Sequence, residues 1–355
     1  MIPTPANWPS PTTAAEAAGR LLTVGFDGTG YERRFERLFR DVAPAGVILF
    51  SRNIKSVRQT RRLIADLKKL SEDLFEGRPL FVAVDQEGGR VARLSADLPT
   101  WPAAKILGDD GSAEQVETIH ADIGRVLRNL GFTVDFAPVL DLGTNLDSPV
   151  IGDRAFSADP EKTALLGRAA IRGLRREGLL ACGKHFPGHG DTTLDSHYAL
   201  PEDPRPAARF DEAELVPFRS AVEEGVDMIM TAHVVYPAFD KILPATLSPT
   251  VVTGLLREKL GFGGIVVGDD LDMKAIAGRW SDGEAAIMAI DAGCDHLLVC
   301  HETPRRREVH RALAAAIDAG RVTEKRLTPT LARIDAGLAR SAACRIDENI
   351  LAGEE

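Results

Sequence analysis

Residues 184–197 read KHFPGHGDTTLDSH and bring Lys184, His185, His189, Asp191, Asp195 and His197 into one short segment. Pro187, Gly188 and Gly190 stand between them, so the segment is a shaped loop and not a helix. So many titratable side chains in one loop point to chemistry. The apolar run ahead of it, GLLAC at 178–182, reads as a buried strand and puts Lys184 and His185 at a strand's carboxyl end. Proteins of the α/β class build their active sites at that end.

Such a loop needs a frame, and the rest of the chain supplies one by alternating short apolar runs with amphipathic stretches. Strands are expected at 21–24, 46–50, 80–84, 133–136, 178–182, 226–230, 264–268 and 294–299. Helical spacing marks 31–40, 57–70, 113–130, 161–176, 211–224, 248–260, 284–292, 308–319 and 327–338, with Ser248 as N-cap ahead of Pro249. The Pro-rich start is expected to be loosely held. Eight strands joined by helix-sized crossovers, with no Gly/Ser/Pro linker between halves, predict an α/β fold: a single (β/α)8 TIM-type barrel over residues 1–340, with 341–355 as a C-terminal tail. Asp85, Arg154, Lys184, His185, His233 and Asp269 all fall just after strands three to seven, so they would ring one mouth. The loops after strands four and five are the longest, and long loops in a compact domain are usually functional.

Composition bounds the function. The 355 residues are 44% hydrophobic and 27% charged, enough for a substantial core. A net charge of -9 offers no basic field to nucleic acid or to an anionic membrane. The first residues lack a basic segment followed by an apolar core, and no apolar stretch nears the roughly 18 residues that span a bilayer, so a cytoplasmic location is expected. Cys182, Cys294, Cys300 and Cys344 have no metal-type spacing and read as reduced core thiols.

The motifs carry a resemblance. KHFPGHGDTTLDSH (184–197), VDQEGGRVAR (84–93), IGDRAF (151–156) and IVVGDDLDMKAI (265–276) resemble those of the bacterial β-N-acetylglucosaminidases of glycoside hydrolase family 3, and the likeness runs from GVILF at 46–50 to AGCD at 292–295. Gly268 departs from the Ser or Thr more usual there. A single barrel with no second sandwich domain resembles the short form that acts on peptidoglycan fragments in the cytoplasm. The resemblance therefore implies an exo-acting, retaining β-N-acetylhexosaminidase that removes terminal N-acetylglucosamine from muropeptides, expected as a monomer with no cofactor, no metal, no nucleic acid and no membrane partner.

Retaining hydrolysis needs a nucleophile and a proton donor on opposite faces of the sugar, about 5–5.5 Å apart. The resemblance names Asp269 as nucleophile, and alternation along an extended strand end would let only one of Asp269 and Asp270 face the barrel axis. It names His197 as the acid and base, oriented and charged by Asp195. An imidazole can donate a proton in one step and accept it in the next, and a neighbouring carboxylate raises its basicity. Asp85, Arg93, Arg154, Lys184 and His185 are implied as binders of sugar hydroxyls, while His189 and Asp191 brace the loop. A neutral base does not repel an anionic acceptor, so phosphorolysis is the alternative to hydrolysis.

Taken singly, these residues have ordinary explanations. An Asp after a strand is often a helix N-cap, and Arg154 could be half of a surface ion pair. Their joint placement carries the argument. His120, His296, His301 and His310 and the methionines read as structural. A metal-dependent barrel hydrolase would use the ligand-type side chains of the 184–197 loop, but Phe-Pro-Gly between His185 and His189 denies them the i, i+4 spacing of a helical metal site. A sugar-binding protein without catalysis is the remaining competitor, and the presence of both His197 and Asp269 speaks against it.

Overall fold

The structure is a computed structural model and describes residues 8–94, 98–145, 147–192, 200–301 and 303–343. Its strands are β1 (Leu22–Val24), β2 (Gly46–Ile48), β3 (Phe81–Val84), β4 (Gln86–Gly88), β5 (Val91–Ala92), β6 (Val134–Asp135), β7 (Leu180–Phe186), β8 (Met228–Thr231), β9 (Ile265–Gly268) and β10 (His296–Val299). Eight of these close into a barrel in the order β1-β10-β9-β8-β7-β6-β3-β2, every pair parallel. All eight expected strands are present and form the expected (β/α)8 architecture. They are short, and a barrel packed inside and outside selects the β-branched and apolar residues seen in them; Val24, Val47, Val82, Ile229, Val266 and Leu297 are completely buried.

The crossover helices start where their caps direct. Ser56 accepts the N–H of Gln59 ahead of Val57–Leu74, Ser112 and Gln115 form a reciprocal capping box ahead of Ala113–Leu130, and Asp159 with Pro160 opens Pro160–Arg176. The expected helix at 248–260 is wound with wider π-type turns over Thr250–Lys259, with Ser248 Oγ accepting from the N–H of Val251 at 3.4 Å. The last helix, Glu324–Ala343, runs past residue 340, and the rest of the expected tail, from 344 on, lies outside the described residues, as does Cys344. Cys182, Cys294 and Cys300 are buried free thiols. Among the described residues, no helix is long and apolar enough to cross a membrane.

Two features depart from the sequence reading. The start of the chain is not loosely held over Ala14–Arg20, which forms a helix capped by Thr13 and Glu16; its Arg20 guanidinium is buried against Asp335 Oδ1 and the carbonyl of Pro9, both at 2.5 Å. The second is the antiparallel hairpin β4–β5, which rises directly from the end of β3. Its turn uses Gly88 and Gly89 at φ 93° and 56°, and a Cβ on Gly88 would meet the carbonyl oxygen of Pro102 at 2.5 Å, so only glycine fits.

The amino-terminal mouth is closed by charge. Asp295, wholly buried just before β10, accepts the backbone N–H of Val266 at 2.9 Å, the Thr330 hydroxyl at 2.9 Å and Arg333 Nη2 at 2.8 Å, and also pairs with Arg257. Burial would push its carboxyl pKa up, but the charges of Arg257 and Arg333 outweigh this and hold it below the usual value. Replacing Asp295 by Ala leaves those guanidinium groups without their shared acceptor, and the expected loss is about 3–5 kcal/mol in unfolding free energy, read from the urea midpoint. A loss under about 1 kcal/mol would mean the cluster behaves like an ordinary surface pair.

Candidate active site

At the carboxyl mouth of the barrel the strand ends enclose a cavity of about 720 Å³. Its wall includes Asp85, Arg93, Arg154, Lys184, His185 and Asp269, so six of the residues singled out in the sequence share one space. Asp195 and His197 lie outside the described residues.

The centre of the wall is a buried ion cluster. Lys184, carried on β7 and 2% exposed, places its Nζ 2.8 Å from Asp85 Oδ1 and 2.6 Å from Glu87 Oε1. Arg154, on the short 3₁₀ turn Gly152–Arg154, grips the same Glu87 with Nε and Nη2, both at 2.8 Å. Arg93 stands 3.7 Å from Asp85. Burial by itself disfavours the charged forms of Lys184, Glu87 and Arg154. Instead, the Asp85 and Glu87 charges hold the Lys184 pKa above its ordinary value against desolvation, Glu87 does the same for Arg154, and Arg154 and Lys184 hold Glu87 far below the carboxylate range. These shifts favour the charged forms of Lys184, Glu87 and Arg154, and the short contacts among them tie their side chains together.

Glu87 was not among the residues singled out, yet it is the one that joins the two cations. Its signal was available: in the extended stretch after β3, positions 85 and 87 share a face. Asp141 was also missed. It is wholly buried, accepts His185 Nδ1 at 2.7 Å and the backbone N–H groups of His185 at 3.2 Å and His189 at 2.7 Å, and so moulds the loop after β7. Burial would raise its pKa, but the charge of His185 and the hydrogen bonds from both histidines outweigh it. A carboxylate only accepts, so Nδ1 of His185 carries the hydrogen. The Lys184–His185 and Phe186–Pro187 peptides are cis. Gly190 passes so close to Leu142 that a Cβ would lie 1.8 Å from its carbonyl oxygen.

His189 is buried, with Nδ1 2.6 Å from the Thr192 hydroxyl, and burial together with the His185 charge pushes its pKa down to about 4. It braces the loop, as does Asp191, 3.6 Å from Arg205. His185 and His189 are thus committed to Asp141 and Thr192. The three-ligand group found among the described residues is a different one, Asp270, Asp272 and His301 at the rim, with Arg305 3.5 Å from Asp272.

Asp269 and Asp270 follow β9. Both touch the cavity, so strict alternation does not separate them, because the ladder ends at Gly268 and the chain beyond it is no longer a strand. Their roles differ nonetheless. Asp269 Oδ1 accepts the N–H of Asp270 at 2.8 Å, while the Asp270 carboxyl accepts the N–H groups of Asp272 and Cys300, each at 3.1 Å, and so ties the loop together. Burial, with the Asp272 and Asp269 charges, pushes the Asp270 carboxyl up to about 8. His233 does not reach the cavity wall; it is buried behind it.

A closed parallel barrel that gathers carboxylates, an ammonium, guanidinium groups and imidazoles around a cavity at its carboxyl mouth has the layout of a barrel enzyme with a polar site. Comparison with known proteins narrows the class: residues 16–336 match the glycosyl hydrolase family 3 N-terminal domain. The chain belongs to glycosyl hydrolase family 3. It is 41% identical over 277 residues to a β-hexosaminidase of Neisseria meningitidis serogroup C, covering 76% of this chain and 74% of that protein. It is 41% identical over 286 residues to a β-hexosaminidase of Alkalilimnicola ehrlichii, covering 79% and 80%. Among solved structures, the family 3 β-N-acetylglucosaminidase of Paenibacillus sp. str. FPU-7 superposes with a TM-score of 0.91 at 41% identity over 94% of this chain; the chain spans 63% of that protein, less than two thirds of its length.

The raised pKa of Asp270 has a thermodynamic consequence. Between the unfolded value of about 3.9 and the folded value of about 8, the unfolded chain releases a proton that the folded protein keeps, so stability falls as pH rises through that window. Asp270→Asn keeps an acceptor for both N–H groups and removes the titration. Its unfolding free energy should lose a slope of up to about 1.4 kcal/mol per pH unit between about pH 5 and 7, measured by urea unfolding. An unchanged slope would show that Asp270 is ionised in the folded protein.

Proposed function

We propose that this glycoside hydrolase is a retaining exo-β-N-acetylglucosaminidase that removes terminal N-acetylglucosamine from peptidoglycan-derived muropeptides, acting as a single cytoplasmic barrel over residues 1–340 and as a monomer. The observation that carries the proposal is the placement of Asp269 in the same cavity as the Lys184–Asp85–Glu87–Arg154 cluster. The relatives' names support the sugar, since they are β-hexosaminidases and a β-N-acetylglucosaminidase. Three buried thiols among the described residues suit a reducing compartment.

In this mechanism the ion cluster binds the glycone. Ionised donors and acceptors make stronger hydrogen bonds than neutral ones, and a sugar lacking a hydroxyl leaves one of them unpaired in a buried wall. Asp269 attacks the anomeric carbon as positive charge develops there, forming a glycosyl-enzyme. His197, paired with Asp195, protonates the departing oxygen and then takes a proton from the water that releases the sugar. Arg93 and His185 complete the pocket, and Asp141 sets the His185 ring.

Asp269→Ala is expected to lower kcat on a nitrophenyl N-acetyl-β-glucosaminide by roughly 10⁴-fold or more with the fold intact. A fluorinated sugar that traps the intermediate should label the peptide carrying Asp269, read by mass analysis; a label elsewhere would overturn the nucleophile. For His197→Ala, substrates with poor leaving groups should slow by roughly 10²–10⁴-fold and those with very good ones much less. Equal losses would contradict the acid role. In phosphate buffer the product should be free N-acetylglucosamine; the sugar 1-phosphate would mark a phosphorylase.

A further inference from the structure

The two residues that follow β9 are supported unusually. The ladder to β8 and β10 ends at Gly268, paired with Thr231 and Leu297, and the next backbone link to the barrel is the N–H of Leu271 on the carbonyl of Leu298 at 3.1 Å. Asp269 and Asp270 bridge that gap, and a reactive carboxylate there must have its backbone held by something other than the ladder.

His233 is placed to do this. It lies two residues past the end of β8, is completely buried, and sends its ring across to the loop after β9. Its Nε2 is 3.0 Å from the carbonyl oxygen of Asp270. A carbonyl only accepts, so Nε2 carries a hydrogen and donates it. Its Nδ1 is 2.9 Å from the Thr246 hydroxyl, which lies 2.9 Å from the Thr231 hydroxyl and 3.1 Å from the carbonyl of Ala232. Both ring nitrogens are engaged, so the imidazole has one orientation. Asp270 is then gripped at both ends of its backbone: its C=O by His233, and its N–H by Oδ1 of Asp269.

We infer that His233 is a positioning residue for the nucleophile: by pinning the carbonyl of Asp270 it fixes the N–H that orients the Asp269 carboxylate. The inference rests on the assignment of Asp269 made above. It gives a function to a histidine that does not line the cavity. The effect belongs to the chemical step, because the ring acts on the backbone beside Asp269 and not on the ion cluster that binds the glycone.

Three variants test it. His233→Leu removes the donor, His233→Gln returns an amide N–H at a similar reach, and Thr246→Val frees the far side of the ring. In His233→Leu, kcat and the rate of covalent trapping by a fluorinated N-acetylglucosaminyl substrate should fall about 10–100-fold, with KM changed less than about twofold, as for an interaction that serves the transition state alone. His233→Gln should recover most of the trapping rate, and Thr246→Val should lower it by a smaller factor. Circular dichroism reports folding in each case. A folded His233→Leu that traps at the wild-type rate, or one that raises KM and leaves kcat unchanged, overturns the inference. Should His233→Leu fail to fold, Thr246→Val decides, and a wild-type trapping rate there overturns it equally. Failure of the underlying assignment is distinguishable: the wild-type protein would then be labelled at a residue other than Asp269.

Discussion

A single ammonium group, Nζ of Lys184, is carried by a side chain that is only 2% exposed, and the upper half of the barrel is arranged around keeping it charged. Its partners come from separate parts of the chain: Asp85 from the end of β3, Glu87 from the hairpin that follows, and Arg154 through Glu87 from the turn after β6. Desolvating one such group costs several kcal/mol, repaid only when opposite charges converge with good geometry. The strands must therefore be in register before the cluster is favourable. Once they are, these side chains are held by one another, and holding them so leaves less ordering entropy to be lost when a ligand binds.

The two mouths of the barrel use the same physics for different ends. At the amino mouth Asp295 and Asp227 take arginines from the outer helices, and every one of these charges serves packing. At the carboxyl mouth the charges line a cavity instead.

Much of this was legible from residue order. The eight strands stood out because buried parallel strands are short apolar runs, and the crossovers because their helices carry apolar stripes and caps. The positions of Asp85, Arg154, Lys184, His185 and Asp269 followed from polar residues placed just after strands. What escaped was set by tertiary neighbours. Asp141 gains its importance from His185, a partner far along the chain that no local pattern reports, whereas Glu87, which pairs with Lys184, could be read locally only as sharing a face with Asp85. The Ala14–Arg20 helix hid behind prolines, although Thr13 and Glu16 spell its capping box. The choice between Asp269 and Asp270 could not come from alternation, since the strand had already ended.

The hairpin β4–β5 forms one wall of the cavity, and Arg90 at its turn reaches across to the loop after β6, with Nε 2.6 Å from Asp153 and Nη2 2.9 Å from the carbonyl of Val150 and 3.1 Å from that of Ile151. One guanidinium thus bolts together two segments that are distant in the chain. Lengthening either segment alone would pull the bolt from its seat and reshape the opening. The width of the entrance is therefore a joint property of the hairpin and the loop after β6, set by neither alone.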